Sequence, residues 1–312
     1  VGAAGFIGRW VAHALCESGA TVYSIIRDWP SAERVFAQYG VHGHVREVSS
    51  PAGVAKALTE IRPSITFNLA GYGVDPTERD ESAAYEINAT LVQRICEAAF
   101  LTRNPSWLGQ NLVHTGSALE YGTIGGCLCE SALPNPTTLY GRSKLAGARI
   151  LADFCRTYGL RGLTARLFTV YGPGEHPGRL LPSLIASAQS RQPLNLTAGD
   201  QKRDFTYVED VAEGLLRLGV AAALPGEIVN LATGRLATIR VFAETAAKLL
   251  QLSPRQLEFG ALPKRAEEMH HGDVAVNRLK GLLGWMPTTG IVAGIRRTLA
   301  FHNELVRNVP AE

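Results

Sequence analysis

Val1-Gly2-Ala3-Ala4-Gly5-Phe6-Ile7-Gly8 places glycines at 2, 5 and 8 at the head of the chain. A helical stretch, Arg9–Ser18, follows, and then a β-branched, apolar strand, Thr21–Arg27. A glycine loop that runs into a helix and then a strand suits phosphate binding. Gly2 allows a tight turn, Gly5 lets the backbone approach a pyrophosphate, and Gly8 lets the helix pack close to the strand. Phe6, Ile7 and Arg9 lie at the helix start, where free N–H groups and the positive dipole end meet phosphates. A doubly wound domain puts a strand ahead of such a loop, at its centre, so the natural chain is expected to extend upstream of Val1.

The alternation continues outward from this loop. Ser64–Leu69, Asn111–Thr115, Gly162–Phe168 and Glu227–Leu231 read as buried strands. Ala52–Ile61, Ala83–Phe100, Leu139–Tyr158 and Val208–Val220 read as the helices between them. Strands alternating with helices imply right-handed βαβ units and a doubly wound parallel α/β sheet. From Gly172 the rhythm loosens into turns and prolines, and the C-terminal part reads as a smaller mixed α/β cap. The expected division is residues 1–171 with 203–232 for the dinucleotide domain, and 172–202 with 233–312 for the substrate domain.

Composition narrows the class. Hydrophobic residues make up 46% and charged residues 19% of the 312, as in a globular protein. A net charge of +3 argues against nucleic acid or an acidic membrane as partner. No apolar run approaches the ~18 residues of a membrane span. Five cysteines without disulfide or zinc spacing suggest reduced thiols and a cytoplasmic protein. Cys127 and Cys129 are one residue apart, and no His or Cys cluster lies nearby to complete a metal site.

The second strand ends Ile25-Ile26-Arg27-Asp28. An acidic residue about 20 positions past the glycines accepts ribose hydroxyls of NAD. Here the strand-end position is Ile26, with Arg27 beside it. Arg27, with Arg9 as a second charge, suits a 2′-phosphate and favours NADP. The competing reading makes both arginines solvated and gives Asp28 the NAD role.

Tyr140 and Lys144 share a face of the helix Leu139–Tyr158. A Lys ammonium beside a phenol favours the phenolate, lowering the Tyr pKa from ~10 and letting it exchange a proton with a carbonyl oxygen. Ser117, just after a strand, could bond the same oxygen.

With these pieces the chain resembles the extended short-chain dehydrogenase/reductases of the nucleotide-sugar epimerase/dehydratase family. The resemblance rests on the glycine loop, Asn68-Leu69-Ala70-Gly71, Asn88, Ser117 with Tyr121-Gly122, and Tyr140 with Lys144. It continues through Arg166–Gly174, Arg203–Asp210 and Leu282–Pro287. The resemblance implies that Tyr140 is the general acid/base, Lys144 holds the nicotinamide ribose, and Ser117 orients the reacting oxygen. It implies cofactor contacts at Leu69, Ala70, Gly71 and Asn88, and puts Glu47 and Val48 at the adenine. Thr169, Arg179, Arg203, Arg265 and Glu268 go with the nucleotide-diphosphate sugar substrate. For Arg203 a salt bridge to Asp204 or Asp210 is the structural alternative; for Arg265 it is a solvated position in Lys264–Glu268. A homodimer through the helices containing Asn88 and Tyr140 is also implied.

Two departures from the family pattern narrow the reaction. Sugar 4,6-dehydratases carry Asp-Glu after the catalytic hydroxyl residue, because expelling water needs an extra acid and base. Ala118 and Leu119 stand there, and Glu120 is one place too late. Thr169 stands where Asn often contacts substrate. The expected activity is an NADPH-dependent 4-keto-6-deoxy-sugar reductase, with an NAD-holding 4-epimerase as the alternative and a non-catalytic sensor as a third.

Overall fold

The computed structural model describes residues 1–308 except 76, 125, 223–224, 265–268 and 270. Its centre is a four-stranded parallel sheet in the order β3 (Thr66–Asn68), β4 (Leu112–Ser117), β5 (Gly162–Leu167), β9 (Glu227–Leu231). Every residue of β4 and β5 is buried, which explains their unbroken apolar character: helices cover both faces of a parallel sheet. Beside it β1 (Tyr23–Ile26) pairs in parallel with β2 (His44–Glu47). Val1 and Gly2 join the two sheets. The Val1 N–H donates to Phe67 O and the Leu69 N–H to Val1 O, while the Gly2 N–H donates to Ile25 O at 3.0 Å.

The helices carry their own start and stop signals. Helix α1 (Phe6–Glu17) follows the glycine loop, and α2 (Trp29–Tyr39) starts at an Asp28 cap and ends at left-handed Gly40. Ser50 caps α3 (Pro51–Ile61), with Pro at the first helical position. Then come α4 (Glu81–Tyr85), a π-helical turn over Glu86–Thr90, and α5 (Leu91–Thr102). Thr138 caps the 20-residue α6 (Leu139–Tyr158).

The cap begins with β6 (Thr169–Tyr171) and α7 (Leu180–Ser190), followed by β7 (Leu194–Leu196) and β8 (Lys202–Tyr207). Helix α8 (Val208–Val220) returns to the main core, with Val208, Val211, Leu215 and Leu218 packed against Val229 and Leu231 of β9. The rest is β10 (Leu236–Thr238), α9 (Ile239–Leu249), β11 (Leu257–Phe259), α10 (Asn277–Leu283) and α11 (Ile291–Asn308). Strands β6, β8 and β10 form one sheet, with β8 central, and β7 pairs with β11. A separate apolar core joins Tyr171, Leu184, Phe205, Tyr207, Phe242 and Ile295.

Strand β8 lies in a different sheet from β9. Residues 202–207 pair with β6 and β10, whereas the return to the four-stranded sheet is made by β9. A strand's partner depends on distant segments, so its period alone does not assign it to a sheet. Helix α2 and strand β2 are elements that the periodicity reading left unmarked.

Candidate active site

The carboxyl ends of the parallel strands form one rim, with the glycine loop, the tips of β1 and β2, and Ser117 along it. At the glycine loop, Gly2 has φ +78°, and a Cβ there would stand 2.8 Å from Ala70 N. A Cβ on Gly8 would fall 2.0 Å from Gly2 O. Only glycine lets α1 sit this close to the turn. Gly5 is exposed, and no side chain caps α1. The first-turn N–H groups, including those of Phe6 and Ile7, therefore face the rim without a side-chain acceptor, as a pyrophosphate requires. Leu69 and Ala70 form the opposite wall, and exposed Gly71 continues it.

Further along the rim, β1 and β2 end side by side. Ile26 registers with Glu47, and the Val48 N–H donates to Ile26 O at 2.8 Å. Arg27 and Glu47 are exposed here and Val48 is half-buried. Asp28 turns its carboxylate to the Ser31 N–H at 2.9 Å as the α2 cap, which holds its pKa below the ordinary carboxylate value.

At the other end, Ser117 closes β4 and Tyr140 opens α6. Gly141 makes their approach possible, because a Cβ there would lie 2.4 Å from Leu119 O. Gly147 does the same further along, where a Cβ would lie 2.0 Å from Asn88 O in the π-helical turn. Gly73 packs against the Tyr140 ring. Burial is the main cause that pushes Tyr140 up to about 12; Glu120 and Glu78 add to it, while a Ser117 hydrogen bond and Arg179 oppose it. Lys144 is 2% exposed, and burial brings it down to about 8 against the pull of Glu120. Tyr140 is thus held as the phenol at neutral pH, and Lys144 as the ammonium.

A match to the family model for NAD dependent epimerase/dehydratase proteins covers residues 1–232. The chain belongs to this family. It is an NAD(P)-dependent enzyme of the extended short-chain dehydrogenase/reductase class. It is 26% identical over 309 residues to dTDP-6-deoxy-L-talose 4-dehydrogenase (NAD(P)(+)) of Kitasatospora kifunensis, covering 95% of this chain and 92% of that one. It is 28% identical over 224 residues to an uncharacterized UDP-glucose epimerase, YtcB, of Bacillus subtilis, covering 72% and 68%. The structure of MoeE5 with UDP-glucuronic acid and NAD superposes with a TM-score of 0.82 at 26% identity, covering 97% and 98%.

The structure gives Asn88, Arg9 and Tyr140 these surroundings. Asn88 is 0% exposed. Its amide donates to Tyr72 O and Ser143 Oγ and accepts from the Tyr72 N–H, fixing the Gly71–Gly73 loop to α6. Arg9 donates to Gly5 O and Ala4 O and lies over the Tyr39 ring, so its charge braces the glycine loop. Tyr140 is raised rather than lowered, because burial, Glu120 and Glu78 outweigh the Ser117 hydrogen bond and Arg179.

On the substrate side, Thr169 is half-buried at the start of β6 and Arg179 is the N-cap residue of α7, 3.5 Å from Glu175. Arg203 donates to Lys202 O and Met269 O. Asp204 accepts from Thr206 and Thr233, and Asp210 accepts from Thr289. Arg265 and Glu268 lie outside the described residues.

Four residues near the chemistry were missed or misjudged. Glu120 accepts from the Ser117 N–H at 2.7 Å and from Arg166 Nε at 2.8 Å, wholly buried. The spacing Ser117-x-x-Glu120 is a capping box and could have revealed it. Arg166 also lies over the Tyr121 ring. Glu78 accepts from the Gly73 N–H at 2.7 Å, and no local signal marks it. His114 bonds Asn68 at 3.1 Å, and burial beside Lys144 keeps it neutral.

Proposed function

We propose that the enzyme reduces the C4 ketone of a nucleotide-linked 6-deoxy sugar, using NADPH, with Tyr140 as the proton donor. The observation that carries this reading is the burial of Glu120 against Arg166. With Ala118 and Leu119 in the two preceding places, the carboxylate nearest Ser117 is tied into a structural ion pair. It is not free to serve as the extra acid or base that 4,6-dehydration needs.

The residues fit the cofactor. The glycine loop and uncapped α1 suit a pyrophosphate, and Arg27 stands exposed beside Glu47 while Asp28 is spent on its cap. Arg27 makes no ion pair among the described residues, which leaves its guanidinium for a 2′-phosphate. The nicotinamide, when bound, supplies the hydride. Ser117 and Tyr140 hold the C4 oxygen, and Tyr140 gives it a proton as negative charge develops there. Lys144 supplies a fixed positive charge behind the phenol and holds the nicotinamide ribose. Arg179 and Arg203 meet the diphosphate, with Thr169 at the sugar.

The domain division is read as a dinucleotide unit bearing the two parallel sheets and a substrate unit bearing β6, β8 and β10. A homodimer through α5 and α6 is part of the same reading, supported by the contacting rings of half-buried Phe100 and Phe154 and exposed Tyr158 and by Leu101, 71% exposed. Among the described residues no helix is long and apolar enough to cross a membrane.

Likeness to YtcB and MoeE5 favours a second reading, a redox-neutral 4-epimerase with tightly held NAD. Fluorescence titration with NADPH and NADH, followed by turnover on nucleotide 4-keto-6-deoxy sugars, separates the two. Tighter NADPH binding and stoichiometric NADPH consumption are expected. Purified protein that carries NAD and converts a nucleotide hexose without added cofactor overturns the reductase.

A further inference from the structure

We propose that Cys127 and Cys129 are a redox-active dithiol that closes to an intramolecular disulfide by exchange with a small-molecule disulfide. The two lie in a surface loop whose ends are tied by the Asn135 N–H to Tyr121 O and the Thr123 N–H to Asn135 O. Between them Leu128 is wholly buried with Tyr121, Ala232, Met269 and Val274. Its backbone is pinned on both sides, donating to Asp273 O at 2.7 Å and accepting from the Ala275 N–H at 3.2 Å. With Leu128 anchored inward, the flanking thiols remain at the surface: Cys127 is exposed and Cys129 half-buried.

The backbone is already folded for closure. The Cys129 N–H donates to Cys127 O at 3.0 Å, making a three-residue turn around Leu128. Consecutive Cα atoms are ~3.8 Å apart, so such a turn holds its outer Cα atoms under ~7 Å. A disulfide spans Cα atoms about 4.4–6.8 Å apart. The thiols also differ in character. Cys129 Sγ lies 3.4 Å from Ser131 Oγ, and that contact favours its thiolate. Cys127 is pushed up by burial and by Cys129 itself. The other three cysteines are buried.

The exchange balances without a metal or an electron carrier. The Cys129 thiolate attacks one sulfur of the small disulfide, forming a mixed disulfide and expelling a thiolate that takes up the proton Cys129 released. Cys127, as thiolate, then attacks Cys129 Sγ and expels the second small thiolate, which takes up the proton from Cys127. Two protein thiols are oxidised, and one small disulfide is reduced to two thiols.

The test uses the whole chain with oxidised glutathione, read by intact mass and thiol counting after denaturation. Wild-type protein should lose the mass of two hydrogens and two of its five thiols, reversibly with dithiothreitol. Cys127→Ser should instead stop at a stable glutathione adduct on Cys129, located by peptide mapping. Retention of glutathione by the wild type, or linkage between two chains, overturns the proposal. So does loss of two hydrogens in Cys127→Ser, which would point to the buried Cys96 and Cys155.

Discussion

The two ends of the cofactor rim are built in opposite ways. At the Tyr140 end the groups that set the chemistry lie inside the protein: Lys144 is 2% exposed, Glu120 and His114 are 0%, and each is held by close packing. At the Arg27 end the Arg27 and Glu47 side chains are exposed at the tips of two short strands. Burial magnifies electrostatics, so the inner end fixes protonation states. At the outer end Arg27 is a solvent-screened charge, which can change without disturbing the fold.

The largest effect should come from removing the proton donor. Tyr140→Phe is expected to lower kcat by ~10²–10⁴-fold while leaving the NADPH dissociation constant unchanged. Undiminished turnover in a steady-state assay would break the assignment of chemistry to the inner end.

Next in size is the buried ion pair. Glu120→Ala strands Arg166 without its partner and should destabilise the fold by about 3–5 kcal/mol in urea or thermal unfolding. A loss under ~1 kcal/mol would mean that water reaches Arg166, and the contrast in burial would fail.

Lys144 sharpens the contrast through pH. Its ammonium persists up to about pH 8, so kcat/KM is expected to be level below that value and to fall above it. Stability runs the other way. The unfolded chain keeps this proton to pH ~10.4 and the folded chain only to about 8, so the group's contribution to stability rises between those values. An activity profile flat to pH 10 would show Lys144 to be better solvated than its packing implies.

The smallest effect belongs to the outer end. Arg27→Ala should weaken NADPH by about tenfold, ~1.4 kcal/mol, leave NADH unchanged, and lose its effect as salt rises. Equal weakening of both cofactors would remove the 2′-phosphate from the account.

Legibility in the sequence follows the same division. The glycine loop, the buried strands β4 and β5, and the helices α6 and α8 were readable because local periodicity and local turn chemistry specify them. Short, exposed β2 has the burial pattern of an edge and left no apolar run to find. In the site, Tyr140, Lys144 and Ser117 were legible as a spaced set. Asn88 and Arg9 were legible as residues, but their bonds to Tyr72 and Ala4 were not, since a spacing pattern carries no hydrogen-bond geometry.

By itself the sequence determined the glycine turn, the alternation of strand and helix, and the residue types available for proton transfer. Each of these is a property of neighbours along the chain. Only the tertiary structure decided that Tyr140 stays a phenol, that Glu120 belongs to Arg166, that Arg9 braces the loop, and that β8 pairs with β6 and β10. Those outcomes depend on desolvation and on which groups the fold brings together, from the adjacent turn for Arg9 to Arg166, 46 residues from Glu120. A linear pattern carries neither, because the free energy of a buried charge is set by what surrounds it in space.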